Sequence, residues 1–252
     1  MIEITGVSHR YGKSKILSDI SLTIQDSGIT ALIGPNGAGK STLLSLMARL
    51  QPLQTGSISF DGQSVAQTPT RELAKTLAIL RQDNALSSRM SLRDLVGFGR
   101  YPHHKGRPTA KDHKAVDEAL DYFDLQDMAD RFIDEVSGGQ KQRALVAMAF
   151  CQETKYLLLD EPLNNLDMYY ARSLMKRLRE IADARQRSFV IVLHDINYAG
   201  AYANEIIALK NGGLAIHGTP HDVLETQALK SLYSMEITVT QHEGQLVALH
   251  HL

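Results

Sequence analysis

Gly34-Pro-Asn-Gly-Ala-Gly-Lys-Ser-Thr42 decides the reading of this chain. The stretch satisfies G-x-x-x-x-G-K-[ST] through Gly34, Gly39, Lys40 and Ser41. Its glycines let the backbone curl so that successive N–H groups point inward and cradle phosphate oxygens. An apolar run, Ile29-Thr-Ala-Leu-Ile33, precedes it, and a helical pattern follows from Ser41 to about Leu50. That helix aims its positive end at the same anion. Lys40 is expected at the β- and γ-phosphates and the Ser41 hydroxyl on Mg²⁺, with Asn36, Gly37 and Thr42 completing the loop. The expected ligand is a nucleoside triphosphate.

A second strand, Tyr156-Leu-Leu-Leu, ends in the carboxylates Asp160 and Glu161. In an open α/β sheet, ligands sit beyond the carboxyl ends of the strands. Asp160 there can hold Mg²⁺, and Glu161, facing another way, can orient or deprotonate the attacking water. Gln82 and His194 follow the predicted strands Leu77–Leu80 and Phe189–Leu193, so both are expected at the same edge. Gln82 suits the metal or the water, and His194 the γ-phosphate.

Around these motifs the chain alternates short strands and helices, with nearly all-apolar strands. This predicts an α/β fold of the P-loop type with a mainly parallel central sheet covered on both faces. Alternating apolar residues at 2–4 and 20–24, with Ser57-Ile-Ser-Phe60 before Asp61-Gly62, predict an antiparallel β subdomain near the N-terminus. From Ala85 to Glu135 the texture turns helical, with Gly99–Pro108 expected as a loop. The expected division of the single domain, 1–252, is a core over 1–84 and 137–252 and an inserted helical subdomain over 85–136.

Val136-Ser-Gly-Gly-Gln140 opens another helix. Ser137 is a good N-cap, and Gly138 and Gly139 leave backbone N–H groups exposed at a positive helix end. Alone, the tetrapeptide is an ordinary helix start. If it cannot meet Lys40 within one chain, a two-fold dimer would set each loop against the partner's Ser-Gly-Gly and create two equivalent sites.

Composition sets the outer limits. The 252 residues carry 27 Lys+Arg and 28 Asp+Glu, a net charge of -1, which argues against a general nucleic-acid binder. A single cysteine, Cys151, allows no internal disulfide and points to a reducing compartment. No run reaches the 18 or so apolar residues of a membrane span, and Met1–Gly6 lacks the basic start of a signal peptide. The expectation is a soluble, cytosolic chain. Eight acidic residues against one basic between 117 and 135 read best as a solvated face. The late histidines, His217, His221, His242, His250 and His251, read as an exposed tail rather than an iron site, and residues 238–249 as a terminal hairpin.

Taken in order, the phosphate loop, Gln82, Ser137-Gly-Gly-Gln, Leu-Leu-Leu-Asp-Glu-Pro162, Asn164-Asn-Leu-Asp167 and His194 resemble the ATP-binding cassette ATPases over essentially the whole chain. The resemblance implies two cassettes sandwiching two ATP molecules head to tail. It implies that Tyr11 stacks on adenine and that Ser137 and Gly139, within Ser137–Gln140, contact the γ-phosphate bound to the other subunit. Asp167 is implied in the loop linking the two sites, Glu161 as catalytic base, and His194 and Gln82 as sensors of γ-phosphate, metal and water. Val136 replaces the usual leucine, and Leu163-Asn-Asn165 stands where Thr-Ser-Ala is commoner, without loss of a catalytic group.

A lone cassette without a fused membrane domain is the pattern of an importer whose membrane subunits are separate chains. Gly99-Arg-Tyr-Pro102, Gly106-Arg-Pro-Thr109 and Asp112 resemble importers of iron chelates, haem and cobalamin. Asp160–Asp167, Leu193–Ala199, Ala208–Gly213 and Gly218–Val223 look most like the ferric-siderophore branch, particularly its catecholate-type systems. The resemblance implies a cassette homodimer on two membrane permease subunits at the cytoplasmic face of the membrane. An extracytoplasmic siderophore-binding protein is implied indirectly, and no nucleic acid. Haem, cobalamin or zinc import, or a soluble ATPase acting on nucleic acid or ribosomes, are the alternatives.

Overall fold

Three strands, β1 (Ile2–Tyr11), β2 (Ser14–Ile24) and β3 (Gly28–Ile33), lead into α1 (Lys40–Met47) in the computed structural model, which describes residues 1–82 and 89–250. There follow β4 (Thr55–Phe60), β5 (Gln63–Ser64), α2 (Thr70–Thr76) and β6 (Leu77–Leu80). A helical stretch holds α3 (Leu92–Gly97), α4 (Tyr101–His104), α5 (Ala110–Tyr122) and α6 (Gly138–Cys151). Alternation then resumes with β7 (Tyr156–Asp160), α7 (Met168–Arg185), β8 (Ser188–Val192), α8 (Ile196–Tyr202) and β9 (Glu205–Lys210). The rest is β10 (Gly213–Gly218), α9 (Pro220–Val223), α10 (Thr226–Tyr233) and the hairpin β11 (Thr238–His242) and β12 (Gln245–Leu249). The expected start of the helical insertion, Ala85, and the last histidine, His251, lie outside the described residues.

The main sheet runs β10-β9-β3-β8-β7-β6, parallel except for β10. Its strands β7 and β8 are buried at every position, as a sheet covered on both faces requires. Registers Leu80↔Leu159 and Asp160↔Val192 bring the ends of β6, β7 and β8 level. The second sheet, β2-β1-β4-β5, is antiparallel and alternates buried and exposed residues, as one-sided burial dictates.

Two apolar cores follow from this layering. One joins α1, the antiparallel sheet and one face of the main sheet, and centres on Phe60 edge-on to Tyr156 at 4.9 Å. The other fills the opposite face with α6, α7 and the helical stretch, where Phe123 meets Phe150 edge-on at 5.5 Å. Each fully buried ring or leucine contributes roughly 1.5–3 kcal/mol over leaving it exposed.

The segment expected as a loop, Gly99–Pro108, departs from that reading. Phe98–Arg100 forms a 3₁₀ turn that continues into α4, with Pro102 in its first turn. The reason is tertiary. Arg100 is buried, and its guanidinium donates to Asp112 Oδ1 (3.0 Å), the Cys151 carbonyl (2.9 Å) and Glu153 (2.7 Å). Gly99 sits so close to α6 that a Cβ would lie 2.2 Å from the Met148 carbonyl oxygen. Asp112 in turn caps α5 through Thr109, so one carboxylate serves both the cap and the ion pair.

In the acidic run, Arg93 pairs with Asp117 and Arg177 with Asp124, the latter at 2.6 Å. His217 is no tail residue. It lies on β10 with Nε2 2.6 Å from Glu205 Oε1. The expected terminal hairpin is present, and its Ala248 exchanges two hydrogen bonds with the Asn197 side chain of α8.

Candidate functional site

The chain leaves β3 through Gly34, whose φ of 138° only glycine adopts readily and whose Cβ would fall 2.1 Å from the Leu209 carbonyl oxygen. Five residues on, Gly39 turns the chain into α1 at φ 101° and leaves the helix start without a side-chain cap. Its first-turn N–H groups are therefore free for an anion. Lys40 is buried, with Nζ donating to the carbonyls of Gly34 (2.7 Å) and Pro35 (3.0 Å). Burial pushes its ammonium below the usual lysine value, opposed by the nearby Glu161 and Asp160 carboxylates.

Ser41 Oγ donates to Asp160 Oδ1 at 3.0 Å and so ties the loop to the end of β7. Burial raises the Asp160 pKa, the Ser41 hydrogen bond opposes this, and the Glu161 charge adds to it. A carboxylate and a hydroxyl side by side, with the carboxyl short of compensating charge, form a hard oxygen set that fits Mg²⁺. Mg²⁺ takes one or two such side chains together with phosphate oxygens. Among the described residues no group of three or more His, Cys, Asp and Glu side chains is placed to hold a metal ion by itself.

Glu161 occupies a left-handed position, φ 51°. Three neighbours among the described residues meet its carboxylate. Gln82 Nε2 donates to Oε2 at 2.8 Å, Asn164 Nδ2 donates to the same oxygen at 2.6 Å, and His194 Nε2 lies 2.5 Å from Oε1. Gln82, Glu161 and His194 thus converge because they follow three adjacent parallel strands. With Asn36, Gly37 and Thr42 they line a cleft of about 470 Å³ over Lys40 and Ser41. Tyr11 stands at its rim, half exposed, its ring edge-on to the buried His9 at 4.9 Å and 80°.

Ser137–Gln140 and Asp167 are not in this cleft. Ser137 Oγ accepts from the Gln140 N–H (3.3 Å), and Gln140 Oε1 accepts from the Ser137 N–H (2.9 Å), a reciprocal cap at the start of α6. Ser137 and Gly138 are exposed. Asp167 caps α7 by accepting from the Tyr170 N–H at 2.9 Å. Asn164 is the site neighbour that sequence reasoning passed over. The available signal was a short amide three residues after Glu161, at a position noted only as a departure from the commoner Thr-Ser-Ala.

A parallel sheet with a glycine-rich loop after β3 and an acidic end to β7 defines a P-loop nucleoside triphosphatase. Residues 17–164 match the ABC transporter family. The chain is 44% identical over 250 residues, 99% of both chains, to the petrobactin import ATP-binding protein YclP of Bacillus subtilis. It is 34% identical over 91% of its length, and 85% of the other chain, to the ferric enterobactin transport ATP-binding protein FepC of Escherichia coli. A protein described as a metal-chelate type ABC transporter in an inward-facing conformation superposes with a TM-score of 0.85 over 98% of this chain and 96% of its own, at 24% identity, a likeness of fold. The chain belongs to the ABC transporter family and is one of its ATPases.

Proposed function

We propose that this chain is the ATP-hydrolysing subunit that energises import of a ferric siderophore through separate membrane permease subunits. The observation that supports the reading is similarity over nine-tenths or more of this chain to chains named for petrobactin and enterobactin transport. No helix among the described residues is long and apolar enough to cross a membrane, so the solute path is assigned to partner chains at whose cytoplasmic face this ATPase docks. The working unit is a head-to-tail dimer of cassettes, each consisting of the core over 1–84 and 137–252 with the helical subdomain over 85–136.

In that unit the N–H groups of Gly34–Thr42, including those of Asn36, Gly37 and Gly39, surround the phosphates of ATP, and Lys40 turns its Nζ from the Gly34 and Pro35 carbonyls to the β/γ-oxygens. Ser41, Asp160 and Gln82 would hold Mg²⁺, which when bound would supply positive charge to the phosphate oxygens. Glu161 takes a proton from the attacking water, Gln82 orients that water, and His194 donates to the γ-phosphate. Ser137, Gly138 and Gly139, at the α6 start that Gln140 shapes, contact the γ-phosphate held by the other subunit, and Asp167 lies in the loop between the two sites. Tyr11 stacks on adenine. Closure on two ATP molecules pulls the permease subunits from one access state to the other, and hydrolysis reopens the dimer.

The test is uptake of radiolabelled ferric catecholate siderophore in cells lacking this chain. Uptake is expected to return with the wild-type chain and to stay absent with Glu161→Gln, which loses about 10²–10⁴-fold in turnover yet binds ATP. Restored haem, cobalamin or zinc uptake in place of the ferric chelate would overturn the substrate class. Recovery of the chain with RNA and no polytopic membrane protein would overturn the transport role.

A further inference from the structure

We propose that Asn164 is a positioning residue for the catalytic base, one that fixes the Glu161 carboxylate in the orientation from which it receives the proton of water. The proposal rests on the assignment of Glu161 as base.

An ionised carboxylate only accepts hydrogen bonds, so the amides that touch it must present their NH₂ groups. Glu161 Oε2 receives two of them, from Gln82 at 2.8 Å and from Asn164 at 2.6 Å. Gln82 reaches in from the end of β6 and has a second task at the metal or the water. His194 is exposed over 45% of its side chain and faces Oε1. Only Asn164 belongs to the same turn as the base, and nothing in the reaction itself requires it. It is therefore the donor that can stay on Glu161 while the other two turn to nucleotide and water.

The backbone explains why the reach is right. Glu161 (φ 51°) and Asn165 (φ 63°) are both left-handed, and they bracket a single tight turn in which the Asn164 N–H donates to the Glu161 carbonyl at 3.2 Å. That turn lays residue 164 back over residue 161. A side chain with one CH₂ before its amide spans the gap, serine falls short of it, and leucine fills the same volume with no donor. The turn is pinned from α6 as well, because Gln142 Nε2 donates to the Pro162 carbonyl at 3.1 Å. Its tip lies against the α6 start, where a Cβ on Gly139 would be 3.4 Å from the Asn165 carbonyl oxygen. The base of one site therefore sits in a turn that packs against the Ser-Gly-Gly segment assigned above to the other.

The experiment compares steady-state ATP hydrolysis and ATP affinity of the full chain, assembled with its permease, for Asn164→Leu, Asn164→Asp, Glu161→Gln and the double variant Glu161→Gln/Asn164→Leu. A base held off its attack line loses on the order of 10- to 100-fold in kcat. Asn164→Leu is expected to show that loss with KM and ATP affinity unchanged within about twofold, the pattern of an interaction used only in the transition state. Asn164→Asp, isosteric but setting a second carboxyl against Glu161 in place of the neutral amide, supplies a second measurement should Asn164→Leu fold poorly, and is expected to lose at least as much. In the Glu161→Gln background the Asn164→Leu change is expected to cost less than about twofold, because there is no base left to aim. Wild-type kcat in both Asn164 variants overturns the positioning role, as does an equal loss with and without Glu161. Normal turnover in Glu161→Gln overturns the assignment of the base, a separate outcome read from a separate variant.

Discussion

The start of α1 and the start of α6 both offer backbone N–H groups to an anion, yet they are finished to different degrees. Gly39 starts α1 with no side-chain cap, Lys40 is buried, and Ser41 is bonded to Asp160 at 3.0 Å. At α6, Ser137 and Gln140 satisfy one another, and Ser137 stays exposed. The Ser137 hydroxyl accepts one bond there and keeps its proton to donate. One anion site is thus built by strands that hydrogen-bond within the chain. The other is exposed at the surface, which is where the proposed dimer would set it against a second chain.

The largest expected effect concerns how the helical stretch that carries α6 is held. Arg100 and Asp112 are both nearly inaccessible, at 3% and 7% side-chain exposure. Asp112→Ala leaves that guanidinium without its carboxylate at Nε and removes the α5 cap, a loss of about 3–5 kcal/mol of stability. Chemical denaturation is expected to show it, while ATP affinity at the α1 site changes little. The same pair gives a pH dependence. Burial would raise the Asp112 pKa, but the Thr109 hydrogen bonds and the Arg100 charge outweigh it and hold the carboxyl well below its usual range. A depressed carboxylate contributes its stability above the unfolded pKa of about 4, and that contribution is lost as pH falls towards the folded value. Asp112→Asn is therefore expected to flatten the acid limb of the stability curve between about pH 4 and pH 2. An unchanged acid limb would mean that the pair does not anchor the helices.

Next in size is Lys40→Ala. Hydrogen bonds from a charged donor are worth about 1.5–3 kcal/mol each, so loss of the ammonium from the phosphates weakens ATP binding by roughly 100-fold. Calorimetric titration of the isolated chain reads this directly. Ser137→Arg is expected to behave in the opposite way. ATP binding by the isolated chain stays intact, while turnover by the assembled transporter falls by about 10- to 100-fold, in keeping with loss of a preorganised anion donor. If Ser137→Arg weakens binding in the isolated chain, the two helix starts meet within one molecule and the contrast between them is wrong.

These differences follow what is written locally and what is not. The Gly34–Thr42 loop was legible because its chemistry is contiguous, and Gln82, Asp160 and His194 were legible because each ends or follows an apolar run in a parallel sheet. Arg100 was hidden. A segment with glycines and prolines at 99–108 has the composition of a loop, and only the approach of α6 to Gly99 turns it helical around a buried guanidinium. Asn164 was hidden for a related reason. Its role depends on two left-handed residues, Glu161 and Asn165, and a non-glycine φ above zero is rarely announced by sequence. His217 was misread because a strand that pairs it with Glu205 cannot be inferred from the spacing of histidines.

The smallest expected effect tests the rim of the cleft, where the α1 site is least enclosed. Tyr11 follows His9 by two positions on β1, so the two side chains share a face of the strand. His9 is buried, neither ring nitrogen has a hydrogen-bond partner among the described residues, and it meets the Tyr11 ring edge-on at 4.9 Å. The edge-on contact braces the tyrosine ring at the rim, where the proposed function has it stack on a base. Stacking on an aromatic side chain is worth about 1–3 kcal/mol, so Tyr11→Ala should weaken ATP binding by about tenfold, towards the low end because the residue is half exposed. Tyr11→Phe keeps the ring and should bind as the wild type does. Tripolyphosphate, which has no base, provides the control, and its affinity should be the same in all three chains. An equal loss for ATP and tripolyphosphate in Tyr11→Ala would show that the tyrosine shapes the phosphate loop instead of meeting the nucleobase. The α1 site would then end at its phosphates.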